Sequence, residues 1–106
     1  INVAILGYGT VGSGVFEVLN ENKESISDVK YVLDLRDFPG QPVEKVLVHD
    51  YEQIVSDPEV DIVVEVMGGV EPAYTFVKKA LLAGKNVCTS NKALVAKHGR
   101  ELMDIA

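Results

Sequence analysis

The sequence has little of what would direct a chain to a membrane, an oxidising compartment or a nucleic acid. Its 106 residues include one cysteine, so no internal disulfide can form. No apolar run reaches the roughly 18–20 residues that span a bilayer, and the start of the chain lacks the basic flank of a signal peptide. Acidic residues number 16 against 10 basic ones, which disfavours a broad phosphate-binding surface. We therefore expect a cytoplasmic protein that binds neither membranes nor nucleic acids.

The composition is typical of one globular domain. Hydrophobic residues make up 47% of the chain and charged residues 25%. At roughly 100–150 residues a chain already buries about two thirds of its surface on folding, so it does not need disulfide bonds to be stable. Cys88 is therefore expected to be a small core residue. One cysteine and two histidines at no regular spacing predict no metal site.

Strand and helix patterns alternate along the chain. Short apolar segments predict strands at residues 3–6, 30–35, 45–48, 60–67 and 86–89. Apolar residues at three-to-four spacing predict helices from residue 10 to about 22, after Asp50, after Pro72 and after Asn91. This alternation predicts a single-domain α/β fold, Rossmann-like and doubly wound, with a mainly parallel sheet.

A glycine-rich turn joins the first predicted strand to the first helix. Residues 7–12 read GYGTVG and fit the pattern G-x-G-x-x-G. In that pattern Gly7 makes the tight turn, Gly9 lets the backbone approach a pyrophosphate, and Gly12 lets helix and strand pack closely. The turn predicts dinucleotide binding, and the alternative is a tight turn without a ligand. Gly14, just inside the helix, is expected to be a close-packing position.

The end of the second strand offers conflicting candidates for reading the adenosine ribose. Asp34 or Asp37 can accept hydrogen bonds from a ribose 2′-hydroxyl, which favours NAD. Arg36 can pair with a 2′-phosphate, which favours NADP. Period-two alternation places Asp34 and Arg36 on the same side of the strand, so side-chain direction does not decide between them. The sequence leaves the choice of cofactor, and a merely solvated role for these charges, open.

Two longer segments are more specific than the glycine turn. Residues 61–73 contain the letters VVEVMGG, and residues 83–99 contain AGKNVCTSNKAL. Together with the GYGTVG turn and the Arg36-Asp37 pair, they closely resemble the N-terminal nucleotide-binding domain of the homoserine dehydrogenase family. The resemblance spans essentially the whole chain, and it implies NADP or NAD as the cofactor.

The resemblance also implies a reaction and a set of site residues. Members of this family interconvert aspartate 4-semialdehyde and homoserine with NAD(P), a step towards threonine, methionine and isoleucine. The glycine turn would line the dinucleotide, Arg36 would lie near the adenosine ribose, and Ser90 and Lys92 would lie near the nicotinamide end. The residues expected to bind the cofactor are Gly7, Tyr8, Gly9, Thr10, Val11, Gly12, Arg36, Met67, Gly68, Gly69, Ser90 and Lys92.

Lys92 is the candidate catalytic residue. It follows the last predicted strand, at the carboxyl edge where doubly wound folds bind ligands. A lysine there can neutralise a phosphate or polarise the oxygen that undergoes hydride transfer. The alternative is a solvated lysine in the first turn of a helix, where a cation opposes the helix dipole. Glu65, inside an apolar strand, is expected to have a structural role.

In the family the chain continues into a dimerisation region and a catalytic domain. These supply the substrate pocket, another lysine proposed as acid or base, and a monovalent-cation site. We therefore expect residues 1–106 to be the NAD(P)-binding domain as a fragment, inactive alone, of a full-length homo-oligomer that binds a small-molecule substrate. Two alternatives remain: a different NAD(P)-dependent dehydrogenase of the same fold, or a nucleotide-sensing module without catalysis.

Overall fold

A five-stranded parallel sheet forms the centre of the protein. The computed structural model describes residues 1–21, 28–67, 70–89 and 91–105. Within these ranges the strands are β1 (Asn2–Leu6), β2 (Asp28–Leu33), β3 (Leu47–Val48), β4 (Val60–Glu65) and β5 (Asn86–Thr89). Their spatial order is β3-β2-β1-β4-β5, and every neighbouring pair is parallel. The first strand of the chain therefore lies in the middle of the sheet.

Helices cover both faces of this sheet. They are α1 (Thr10–Glu21), the short α2 (Glu52–Val55), α3 (Ala73–Leu82) and α4 (Lys92–Ile105), with a 3₁₀ turn at Pro42–Lys45. Val3 and Ile5 of β1 pack in one core with Phe16 of α1. Ala4 and Leu6 point to the other face, into a core shared with α2 and α3. Because strand side chains alternate, β1 contributes to both cores, and the predicted doubly wound fold is confirmed.

Three local signals set the helix ends as predicted. The Asn91 side chain accepts a hydrogen bond from the Leu94 N–H at 3.0 Å, which caps α4. The Asp50 carboxylate accepts the Glu52 N–H at 3.0 Å at the start of α2. Gly84, at a φ of 82°, follows α3 in the left-handed conformation that ends helices.

Two strands end earlier than predicted, for the same reason. β2 ends at Leu33 instead of residue 35, and β4 ends at Glu65 instead of residue 67. In each case a carboxylate accepts the backbone N–H two residues later: Asp34 binds the Arg36 N–H at 2.9 Å, and Glu65 binds the Met67 N–H at 2.8 Å. These side-chain bonds turn the backbone out of the strand ladder.

The prediction that Cys88 belongs to the core is wrong. Cys88 is exposed and unpaired on β5. β5 pairs with β4 alone among the described strands, so it is an edge strand, and its residues Asn86 and Thr89 are exposed as well, while Val87 is half-buried. Position in the sheet, which the residue type does not reveal, sets the exposure of this side chain.

Candidate functional site

A cleft of about 520 Å³ opens at the carboxyl edge of the sheet, above the ends of β1, β2 and β4. Ligands of open parallel sheets bind at this edge, where neighbouring strands connect in opposite directions. β1 and β4 form such a pair, because the chain leaves β1 towards β2 on one side and later returns to β4 on the other. The cleft is lined by Gly7, Tyr8, Gly9, Leu33, Asp34, Leu35, Arg36, His49, Tyr51, Val66, Met67, Pro72 and Phe76.

The glycine turn forms one wall of the cleft, and its three glycines have different surroundings. Gly7 has a φ of 102°, and a Cβ there would lie 3.0 Å from Met67 Cγ. A Cβ on Gly12 would lie 2.0 Å from the carbonyl oxygen of Gly7, so only glycine fits. A Cβ on Gly9 would meet nothing within 4 Å. The turn itself requires Gly7 and Gly12. Gly9 faces open space, so a pyrophosphate can come close to the protein backbone there.

Helix α1 presents its amino end beside this open space. It begins at Thr10, has 12 residues and carries no acidic residue in its first turn. No side-chain carboxylate of that turn therefore competes with a phosphate for the positive end of the helix dipole. Free N–H groups at such an end bind phosphate oxygens. The local geometry therefore fits a pyrophosphate.

Gly14, within the same helix, does not pack closely, contrary to the prediction, because a Cβ there would meet nothing within 4 Å.

Asp34 and Arg36 form a compact pair on the wall of the cleft beside the glycine turn. Asp34 Oδ2 accepts the Tyr8 N–H at 2.9 Å and Arg36 Nη2 at 3.0 Å, and Asp34 Oδ1 accepts Arg36 Nε at 3.1 Å. The same Nη2 donates to the Tyr8 carbonyl at 3.2 Å. This network joins the end of β2 to the glycine turn after β1. The Arg36 side chain remains 62% exposed and the Asp34 side chain only 10%.

His49 adds a second basic side chain to the rim of the cleft. Its Nδ1 lies 2.6 Å from the Asp34 carbonyl oxygen, and its Nε2 lies 3.0 Å from the Asp37 carboxylate. Both neighbours are hydrogen-bond acceptors, and only a protonated imidazole ring can donate from both nitrogens at once. The hydrogen bond to the Asp34 carbonyl, and then that to Asp37, raise the pKa of His49.

Acid should remove the contribution of Asp34 to stability. Hydrogen bonds from the Arg36 side chain, opposed by partial burial, lower the pKa of Asp34 from 3.8 to about 2. The folded chain then binds this proton more weakly than the unfolded chain, so the stabilisation is complete above about pH 4 and is lost towards pH 2. We expect the difference in unfolding temperature between the chain and its Asp34→Asn variant to narrow steadily over this window. A difference in unfolding temperature that stays constant from about pH 6 down to about pH 2.5 would contradict this prediction.

The ends of β4 and β5 are joined by a buried carboxylate. Glu65 is fully buried, and its Oε2 accepts the Thr89 hydroxyl at 2.6 Å while Oε1 holds the Met67 N–H. Thr89 Oγ1 in turn accepts the Asn91 N–H at 3.0 Å. Asn91 caps α4, whose first residue is Lys92. The expectation of a structural role for Glu65 therefore agrees with its contacts.

Lys92 lies at a second, smaller opening along the same edge of the sheet. This opening has a volume of about 340 Å³ and is lined by Thr89, Asn91, Lys92, Val95 and Ala96. Lys92 is exposed at the start of α4. The structure thus separates the predicted residues into a large group around the glycine turn and one residue beside β5.

The other predicted residues take three kinds of place. Tyr8, Arg36 and Met67 line the large cleft, and Thr10 and Val11 are exposed at the start of α1. Gly12 is buried beneath the turn. Gly68, Gly69 and Ser90 lie outside the described residues. The cleft lining also includes residues that the sequence did not indicate, namely Leu33, Leu35, His49, Tyr51, Val66, Pro72 and Phe76.

Tyr51 and Phe76 form the apolar floor of the cleft. Their rings stack with centroids 4.2 Å apart, and the Tyr51 hydroxyl donates to the Phe76 carbonyl at 2.5 Å. Tyr51 directly precedes α2 and Phe76 belongs to α3, so the two residues are far apart in the sequence. One feature of the sequence could have indicated that His49 lines the cleft: it directly follows β3, at the carboxyl edge of the sheet.

A sequence profile described as "Homoserine dehydrogenase, NAD binding domain" matches residues 7–106. The chain belongs to this family. Nicotinamide dinucleotide, NAD or NADP, is accordingly its cofactor. Within the described ranges no helix is long and apolar enough to cross a membrane. In the same ranges no three His, Cys, Asp or Glu side chains are grouped as a metal site would need.

Relatives and solved structures agree with this assignment to the homoserine dehydrogenases. The chain is 43% identical to homoserine dehydrogenase of Lactococcus lactis, with 100% of this chain and 28% of the relative covered. It is 41% identical to that of Helicobacter pylori, covering 27% of it. The crystal structure of the Staphylococcus aureus enzyme superposes on 100% of this chain and 30% of its own, with a TM-score of 0.88 at 38% identity. The chain thus spans less than a third of the length of these relatives.

Proposed function

We propose that this chain is the cofactor-binding part of an enzyme that interconverts aspartate 4-semialdehyde and homoserine with NAD(P). The observation that carries the proposal is the glycine turn, which leaves Gly9 open beside the amino end of α1 in a chain of this family. The bound dinucleotide would supply the hydride. Residues outside this chain would then hold the substrate, and the chain alone is not expected to turn it over.

The residues of the large cleft would bind the dinucleotide from the adenosine end to the pyrophosphate. Gly9, Thr10 and Val11 offer backbone N–H groups at the start of α1 to the pyrophosphate oxygens. Tyr8 and Met67 flank the turn, with Met67 in contact with Gly7. Arg36 would lie at the adenosine ribose, above the apolar floor.

The nicotinamide end would extend towards β5. The Glu65, Thr89 and Asn91 hydrogen bonds hold the start of α4, and the ammonium group of Lys92, its first residue, would face a phosphate or the reacting oxygen. By the family pattern, Ser90 would lie at the same end, and Gly68 and Gly69 would approach the cofactor after the fourth strand. We propose further that the full-length enzyme is a cytoplasmic homo-oligomer.

Dinucleotide binding can be tested directly on the chain. We expect NADH or NADPH to bind, as measured by calorimetry or by nicotinamide fluorescence, and a Gly9→Asp variant to bind at least about tenfold more weakly. The new carboxylate would stand where the pyrophosphate enters. Since a Cβ on Gly9 meets no neighbour, the free energy of unfolding should change by no more than about 0.5 kcal/mol.

Gly14→Asp is the matched control for this experiment. It adds the same side chain and charge to the same helix, at an exposed and equally open position. It should leave dinucleotide affinity unchanged. If neither NADH nor NADPH binds at millimolar concentration, or if both variants behave alike, the proposed function is wrong.

The reaction is tested on the full-length product of the reading frame that encodes this chain. Homoserine should reduce NAD(P), seen as absorbance of the reduced nicotinamide, and a Lys92→Ala variant should lower kcat/KM by about tenfold or more. Cofactor binding without homoserine oxidation would favour another dehydrogenase of this fold or a nucleotide-sensing module.

A further inference from the structure

Asp34 stands where a dinucleotide-binding fold places the acidic residue for the adenosine ribose, yet its carboxylate is already saturated. Oδ1 accepts the Arg36 N–H at 2.9 Å and Nε at 3.1 Å. Oδ2 accepts the Tyr8 N–H at 2.9 Å and Arg36 Nη2 at 3.0 Å. A carboxylate offers about four lone-pair positions, and all of them are occupied. A ribose hydroxyl would have to displace Arg36 or Tyr8 to reach it.

We propose that Asp34 is a positioning residue, which holds the Arg36 guanidinium ready for an adenosine 2′-phosphate and does not itself bind the ribose. The site then selects NADPH over NADH. This inference rests on the proposed function and deepens it, because it assigns the specificity of the same cleft. It also resolves the choice between Asp34 and Arg36 that the sequence leaves open.

The Arg36 side chain is fixed from three sides. Its Nε and Nη2 bind Asp34, its Nη2 also binds the Tyr8 carbonyl at 3.2 Å, and its central carbon lies 5.2 Å from the centre of the Phe38 ring. Nη1 makes no hydrogen bond to any described residue and stays on the exposed side. The two N–H groups of Nη1 are left to bind phosphate oxygens, and a guanidinium held in place loses little entropy when it does so.

The charges around Arg36 are consistent with this assignment. Asp34, behind the guanidinium, is 10% exposed, so the carboxylate is shielded while the cation faces solvent. The nearby Asp37 carboxylate is paired with His49 at 3.0 Å. Asp34 and Asp37 are thus each bound to a basic side chain, and the Arg36 guanidinium is exposed to an arriving 2′-phosphate.

The unaltered chain provides the first test. NADPH should bind about tenfold or more tightly than NADH in parallel titrations, because charge-assisted hydrogen bonds from Arg36 Nη1 to the 2′-phosphate are gained. Equal affinity, or tighter NADH binding, would overturn the proposal. Failure of both dinucleotides to bind would instead contradict the proposed function, so the two failures can be told apart.

An Asp34→Asn variant separates positioning from ribose binding by the sign of its effect. If Asp34 bound the ribose, the variant would weaken NADH binding and raise the preference for NADPH. If it positions Arg36, the ratio of NADPH to NADH affinity should fall about fivefold to tenfold, although a negative charge is removed. In an Arg36→Ala background the same change should leave this ratio unaltered. A further drop there would show that Asp34 does not act through Arg36.

Asp57→Asn is the matched control. Asp57 is also a carboxylate bound to a cation and a second donor, with Lys30 and the Tyr31 hydroxyl both at 2.7 Å, but it precedes β4 at the amino edge of the sheet. This variant should unfold at a lower temperature and keep the affinity ratio. A changed ratio in Asp57→Asn would mean that general loosening of the fold alters selectivity, which would overturn the role given to Asp34.

Discussion

A Gly12→Ala variant is expected to lose about 3 kcal/mol or more of its free energy of unfolding, an unusually large effect for a single methyl group. The added Cβ would lie 2.0 Å from the Gly7 carbonyl oxygen and 3.2 Å from Val66 Cγ2. The nearer atom belongs to the backbone, so no side-chain rotation relieves the overlap. The turn and the first turn of α1 must move apart. Urea unfolding monitored by circular dichroism measures the loss.

Gly14→Ala, two residues along the same helix, should have the opposite sign. Its Cβ meets nothing within 4 Å, and the position is exposed. Alanine in a helix interior is favoured over glycine by about 0.5–1 kcal/mol, because the unfolded chain loses conformational freedom. The pair therefore compares the same change in chemistry at a crowded and an open site. Destabilisation of both variants by similar amounts would contradict the packing described for the turn.

Features set by local sequence could be predicted before the structure. The glycine turn, the Asn91 cap and the end of α3 at Gly84 each depend on a few adjacent residues and the conformations open to them. The order of strands and helices, and hence the carboxyl edge as the site, follows from alternating apolar segments. These elements are the ones in which the prediction and the structure agree.

Features set by contacts distant in sequence could not be predicted. Cys88 is exposed because β5 is an edge strand, and nothing in the local sequence gives its place in the sheet. The hydrogen bond between Asp34 and the Tyr8 N–H could not be predicted either. Alternation predicts Asp34 and Arg36 on one side of an extended strand, whereas the bond to the Tyr8 N–H, 26 residues away, depends on the pairing of β1 with β2. The role of a charge at a strand end is thus decided by what the neighbouring strand brings to it.

Replacing Glu65 by alanine should cost about 3 kcal/mol in the free energy of unfolding. Glu65, the last residue of β4, is fully buried, so the truncation leaves a cavity in the core. It also leaves the Met67 N–H without its acceptor at 2.8 Å and the Thr89 hydroxyl without its acceptor at 2.6 Å. Because Thr89 also accepts the Asn91 N–H, the loss extends to the start of α4.

Glu65→Gln distinguishes the hydrogen bonds of Glu65 from its charge. The amide keeps the volume of the side chain, and its oxygen can accept the Met67 N–H. Its NH₂ group can donate to Thr89 Oγ1, which uses one of its two lone pairs for the Asn91 N–H. Both bonds of Glu65 come from uncharged groups, so losing its charge should change stability by no more than about 1 kcal/mol. Chemical denaturation measures the free energy of unfolding of both variants. If Glu65→Gln loses as much of it as Glu65→Ala, then Glu65 stabilises the fold through its charge and not through its hydrogen bonds to Met67 and Thr89.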